Sequence, residues 1–163
     1  MAGVETKVVK ITPPEGVQMI LGQAHFIKTV EDLYEAIIVS CPSAKFGVAF
    51  CESSGPALVR FDGNDEELTE QAAGIAAEIG AGHSFIVLLK EAFPISVLNR
   101  IKGTEEVATV YCATGNSIRV LIADVAEGRA ILGVADGLRA KGIETDEDKQ
   151  ARREFLRKIG YKR

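Results

Sequence analysis

The stretch Gly80-Ala-Gly-His-Ser-Phe-Ile-Val-Leu-Leu89 decides the fold. From Phe85 to Leu89 every position is apolar. A strand that meets water on one face alternates apolar and polar residues, whereas one covered on both faces reads as an unbroken apolar run. This segment is therefore a central strand with other layers above and below it. Gly80 and Gly82 end whatever precedes it and let the backbone bend just before His83.

Upstream, Glu66 to Ile79 carries Leu68, Ala72, Ile75, Ala76 and Ile79 on one helical face, and Asp62-Gly63-Asn64-Asp65 offers its caps. Lys45 to Cys51 and Ala57 to Phe61 read as strands joined through the polar loop Glu52-Ser53-Ser54-Gly55-Pro56. Thr29 to Ile38 has helical spacing with Glu31 and Asp32 in its first turn, and Pro42 closes it. Val8 to Ile11 and Val17 to Phe26 flank Pro13-Pro14-Glu15-Gly16, which reads as a β-hairpin.

Downstream, Pro94 opens a short helix that Lys102-Gly103 ends. Val107 to Ala113, Ile118 to Val125 and Ala130 to Ala135 are three strands whose short connections predict an antiparallel meander. Thr145-Asp146-Glu147-Asp148 is a capping-box variant that starts a last helix. Helices interspersed with at least six strands predict a layered α/β sandwich around a mixed, largely antiparallel sheet, in one domain spanning residues 1–163.

Composition narrows the function. The chain has 163 residues, 47% hydrophobic and 26% charged, enough to bury a core without disulfides. A net charge of −4 gives no general field for a nucleic-acid backbone or an anionic membrane. No apolar run approaches the roughly 20 residues of a bilayer-spanning helix. The start Met1-Ala2-Gly3-Val4-Glu5 lacks the basic and apolar regions of a secretory signal, which places the protein in the cytoplasm. Cys41, Cys51 and Cys112 sit in apolar contexts without a Cys-x-x-Cys pair and read as small buried hydrophobes, so no metal site is expected.

Familiar phosphate-binding and hydrolase patterns are absent. There is no Gly-x-x-x-x-Gly-Lys-Ser/Thr, no Gly-x-Gly-x-x-Gly between a strand and a helix, and no Gly-x-Ser-x-Gly elbow around Ser53, Ser54 or Ser84. His83 is the candidate reacting group, because a bend before it and a stiff strand after it would fix an imidazole at a strand mouth. Such a ring takes a proton near neutral pH or attacks phosphorus to form a phosphoenzyme. From spacing alone, a histidine that only satisfies the strand end is the favoured reading of this position. Ser53, Ser54 and Gly55 could present hydroxyls and N–H groups to a phosphate or ribose, or simply turn the chain. Asn116, in Thr114-Gly115-Asn116-Ser117, has the paired donor and acceptor that read a purine edge, and also the residue type that left-handed turns favour. Asn99 and Lys102, three apart on the helix after Pro94, share a face on which Lys102 could meet a phosphate as a point charge.

Taken in order, Phe46-Gly-Val-Ala-Phe-Cys-Glu-Ser-Ser-Gly-Pro56, Gly82-His-Ser-Phe85, Phe93-Pro-Ile-Ser-Val-Leu-Asn-Arg-Ile-Lys102 and Gly128-Arg-Ala-Ile-Leu-Gly-Val-Ala-Asp-Gly137 resemble the adenosine-specific kinase family along nearly the whole chain. The resemblance implies a compact α/β fold that forms homotrimers, binding of adenosine and AMP, and a histidine that carries phosphate, here His83. A kinase would call for ATP and magnesium, whose usual cradles the sequence lacks. Three classes stay open: a phosphotransferase working through phosphohistidine, an adenosine or AMP sensor without turnover, and an oligomeric scaffold.

Overall fold

The apolar run after His83 forms the middle strand of a five-stranded sheet. The structure is a computed structural model and describes residues 3–163. Its elements in chain order are β1 (Glu5–Ile11), β2 (Gln18–Ala24), α1 (Thr29–Ser40), β3 (Lys45–Cys51), β4 (Val59–Gly63), α2 (Glu66–Ile79), β5 (Ser84–Lys90), α3 (Pro94–Lys102), β6 (Val107–Thr114), β7 (Ile118–Val125), β8 (Gly128–Asp136) and α4 (Asp146–Lys158). The large sheet runs β4-β3-β5-β2-β6 and a second sheet runs β1-β7-β8.

Alternation along β5 divides the interior into two cores. Phe85, Val87 and Leu89 join Phe46, Val48 and Phe50 of β3 against α1 and α3, which contribute Leu33, Ile37, Val97 and Ile101. Ile86 and Leu88 point the other way, where Leu68, Ala72, Ala76 and Ile79 of α2 meet Ile118, Val120 and Ile122 of the small sheet. The layers are thus a helix pair, the large sheet, and a third layer shared by α2 and the small sheet. The central-strand reading of this segment and the layered α/β class follow from the same pattern.

Strand partners depart from the local reading in two places. β1 and β2 are not a hairpin: β1 pairs with β7, and β2 is flanked by β5 and β6. With both edges of β2 taken, the Pro13-Pro14 turn carries the chain between sheets. The expected three-strand meander is also divided, because β6 closes the edge of the large sheet while only β7 and β8 form a hairpin. Asp136 Oδ1 fixes this crossover by accepting hydrogen bonds from Thr114 Oγ1 at 2.9 Å and Asn116 Nδ2 at 3.0 Å. Every pairing among the described strands is antiparallel.

Caps explain the helix ends. Asp65 accepts a hydrogen bond from Leu68 N at 3.0 Å at the start of α2, and Gly80, at φ +59°, stops it in the left-handed conformation. Asn64 does not cap: it ties down the start of β3, accepting from Phe46 N and donating to Ala44 O. The Thr145–Asp148 capping box is formed, yet no residue of α4 is buried. Of the three cysteines only Cys51 is buried; Cys41 and Cys112 are partly exposed. Burial followed by the charge of Asp136 pushes the Cys112 thiol up to about 11. No described helix is long and apolar enough to cross a membrane.

Candidate functional site

The end of β3, the start of β5 and the end of β2 come together at one end of the large sheet. Antiparallel pairing sets Gln23 of β2 opposite Ser84 of β5, so the residues just beyond, His25 and His83, become neighbours. Backbone bonds lock the junction. His83 N donates to Cys51 O at 2.7 Å, and Ala24 N donates to His83 O at 2.9 Å. His83 sits at φ +62°, a conformation that costs a residue bearing a β-carbon roughly 1–2 kcal/mol. Such a conformation persists where the surroundings over-determine it, and it clusters at functional positions.

The half-buried His83 ring lies between two aromatic groups. Phe50 stacks on it with centroids 5.7 Å apart and planes 19° from parallel, and His25 meets it edge-on at 5.8 Å and 84°. The His25 segment is held as firmly. Its N–H donates to Glu106 O at 2.7 Å, and Thr29 Oγ1 donates to the His25 and Phe26 carbonyls at 3.3 and 2.6 Å. Phe26 is itself left-handed at φ +81°. The Glu106 carboxylate is buried against the Lys28 ammonium, which also binds Asp32. Asp32 first and Glu106 second hold the Lys28 ammonium above its usual range, and these contacts fix the turn between His25 and α1.

Gly82 places the serine loop beside the histidine. A β-carbon at Gly82 would stand 2.7 Å from the Ser53 β-carbon, so only glycine lets the loop come this close. A cleft of about 530 Å³ opens there, walled by Ser53, Gly80, Gly82, Gly128 and Arg129 among others. A smaller cavity of about 130 Å³ on the same side is lined by Gln23, Gly82, Ser84, Tyr111 and Arg129. Glu52 accepts from Leu58 N at 3.1 Å and from Arg60 Nη2 at 3.0 Å, and the first of these, aided by the second, holds its carboxyl below the usual range. No three described His, Cys, Asp or Glu side chains gather as metal ligands.

Of the residues singled out in the sequence, Ser53 comes against Gly82, the residue before His83, and lines the cleft, whereas Ser54 and Gly55 continue the exposed turn beyond it. Asn99 is exposed on α3 and lines a separate surface groove with Lys28 and Asp32, and Lys102 is exposed in the last turn of that helix. Asn116 lies at the other end of the large sheet. Register places Thr114 opposite Met19 and Val107 opposite Ala24, a separation of about 17 Å along β2. Its amide is occupied by Asp136. His25 carries no local cue of its own, because Val17 to Phe26 reads as a plain strand. Its signal was that the chain has two histidines and each ends an apolar strand, which pairing then brings together.

The family model described as adenosine specific kinase matches residues 9–162. No curated protein matches the sequence. Among solved structures, the crystal structure of the PH1918 protein from Pyrococcus horikoshii OT3 is 49% identical, with 99% of each chain covered and a TM-score of 0.95. Its resemblance extends through the histidine junction and the outer helix α4, and with the family match over nearly every residue it means that this chain belongs to the adenosine specific kinase family.

Proposed function

We propose that the protein is an adenosine phosphotransferase that works through a phosphohistidine at His83. The observation that carries this reading is the pair of imidazoles, His25 and His83, with ring centroids 5.8 Å apart at a rigid strand mouth. In the first step a lone pair of the His83 ring attacks the terminal phosphorus of a phosphoryl donor such as ATP. The N–P bond forms as the P–O bond to the leaving group breaks. In the second, the 5′-hydroxyl oxygen of adenosine attacks the same phosphorus. The N–P electron pair returns to the ring, the hydroxyl proton passes to His25, and AMP leaves. The Ser53–Gly55 loop contributes hydroxyl and N–H groups to the bound nucleoside, while Asn99 and Lys102 of α3 lie away from that cleft. The substrates assign the reaction to the cytoplasm.

Incubation with ATP labelled at its terminal phosphate is expected to leave acid-labile, base-stable label on the protein. Added adenosine should discharge it as labelled AMP. Calorimetry that finds adenosine binding with neither label nor AMP would overturn turnover and favour a sensor that uses the same cleft.

We also propose that the chain assembles as a homotrimer. Phe93, Ile95, Phe155, Ile159 and Tyr161 are large apolar side chains left exposed around a groove of about 490 Å³ between α3 and α4. Surface of this kind is usually covered by a partner. Light scattering in solution should read three chain masses, and a monomer at working concentration would refute the assembly. A trimer that binds no nucleoside would point to a scaffold.

A further inference from the structure

We infer that Arg129 is the phosphate anchor of this site, so that the cleft beside Gly82 holds a nucleoside monophosphate more tightly than the bare nucleoside. The inference rests on the adenosine reading above and assigns a role to a residue outside it. Arg129 lies at the start of β8 and is pinned by three acceptors. Its Nε donates to Asp124 Oδ2 at 3.1 Å, and its Nη1 donates to the Glu78 and Ile79 carbonyls at 3.1 and 3.2 Å. Those carbonyls belong to the last turn of α2, where unsatisfied acceptors and the negative end of the helix dipole favour a cation. Lys7 Nζ, 2.8 Å from the same Asp124 oxygen, steadies the carboxylate from the other side.

A guanidinium has five N–H donors in a planar fork, and these three contacts use only Nε and Nη1. Nη2 is engaged by none of them. Arg129 lines both cavities that flank Gly82, the residue before His83. The rest of the larger cleft suits a phosphate, because Gly80, Gly82 and Gly128 leave backbone within reach and the Ser53 side chain is exposed. Gly80 matters twice: it takes φ +59°, and a β-carbon on it would stand 3.1 Å from Nη1. Two acidic residues share the wall. Glu52 is paired with Arg60, and Glu127 is exposed at the tip of the β7–β8 turn, which leaves the Ser53 side for an incoming dianion. Held on three sides, the fork needs no reordering to meet a phosphate, and that pre-organisation favours arginine over lysine.

The test is calorimetric titration of the full chain with AMP and with adenosine. Wild type should bind AMP more tightly than adenosine. Arg129→Gln and Arg129→Lys should each lose roughly 10- to 100-fold in AMP affinity while adenosine stays within about twofold. Equal weakening of both ligands would make Arg129 a structural pin between α2 and β8 and overturn the inference, as would a wild type that does not prefer AMP. In either case retained adenosine binding leaves the proposed function standing. A wild type that binds neither ligand overturns both.

Discussion

Replacing His83 by asparagine is expected to abolish phosphoryl labelling and to lower AMP formation by about 10⁴-fold or more, the scale seen when a covalent nucleophile is removed. Asparagine is the informative choice. His83 is left-handed, and a short polar side chain tolerates that conformation better than most, so the strand mouth keeps its backbone bonds to Cys51 and Ala24. The ring's contact with Phe50 is lost, but Phe50 is packed chiefly by the core on the α1 side. The melting temperature should therefore move by only a few degrees, about what 1 kcal/mol produces in a chain of this size. Label that survives in a folded His83→Asn protein would remove His83 from the reaction. Loss of label with a collapsed melting transition would be read instead from His83→Gly, which relieves the left-handed strain and keeps the backbone course.

The largest expected effect on stability falls on Gly47→Ala. Gly47 lies in β3 beneath the first turn of α2, and a β-carbon there would stand 2.4 Å from the Leu68 carbonyl carbon and oxygen and 2.5 Å from Thr69 N. All three are backbone atoms, so no rotamer change relieves the overlap and the helix must lift from the sheet. The expected loss is about 3 kcal/mol or more, at the upper end for overpacking a tight core. Gly74→Ala is the control, since nothing lies within 4 Å of its β-carbon position on α2. There alanine should gain about 1 kcal/mol from helix propensity. Urea unfolding of both proteins measures the difference, and a Gly47→Ala midpoint equal to wild type would refute the contact. The shift should also reach the site, because the far end of α2 carries Gly80 and the carbonyls that hold Arg129.

Local chemistry made many of the elements legible. The apolar run of β5, the spaced alanines of α2 with Asp65 before them, and the Thr145–Asp148 box each carry their own signal within a few residues. Pairing does not. A strand's pattern says which face is buried but not which edge is free, so β1 and β2 read as a hairpin although they lie in different sheets. The site divides along the same line. His83 stood out because two glycines precede a stiff strand, a local cue. His25 becomes its neighbour only through the register of β2 on β5, across 58 positions of chain. Asn116 looked equally promising by residue type, and only the strand register shows it at the other end of the sheet.

The outermost helix has a bearing on how the protein behaves when diluted. Thirteen residues that bury nothing keep their helical form by a cap and a few surface ion pairs, and such a segment is marginal by itself in water. Its order depends on the neighbouring surface it touches. Fraying should start at this tip while the interior layers on either side of β5 stay shut.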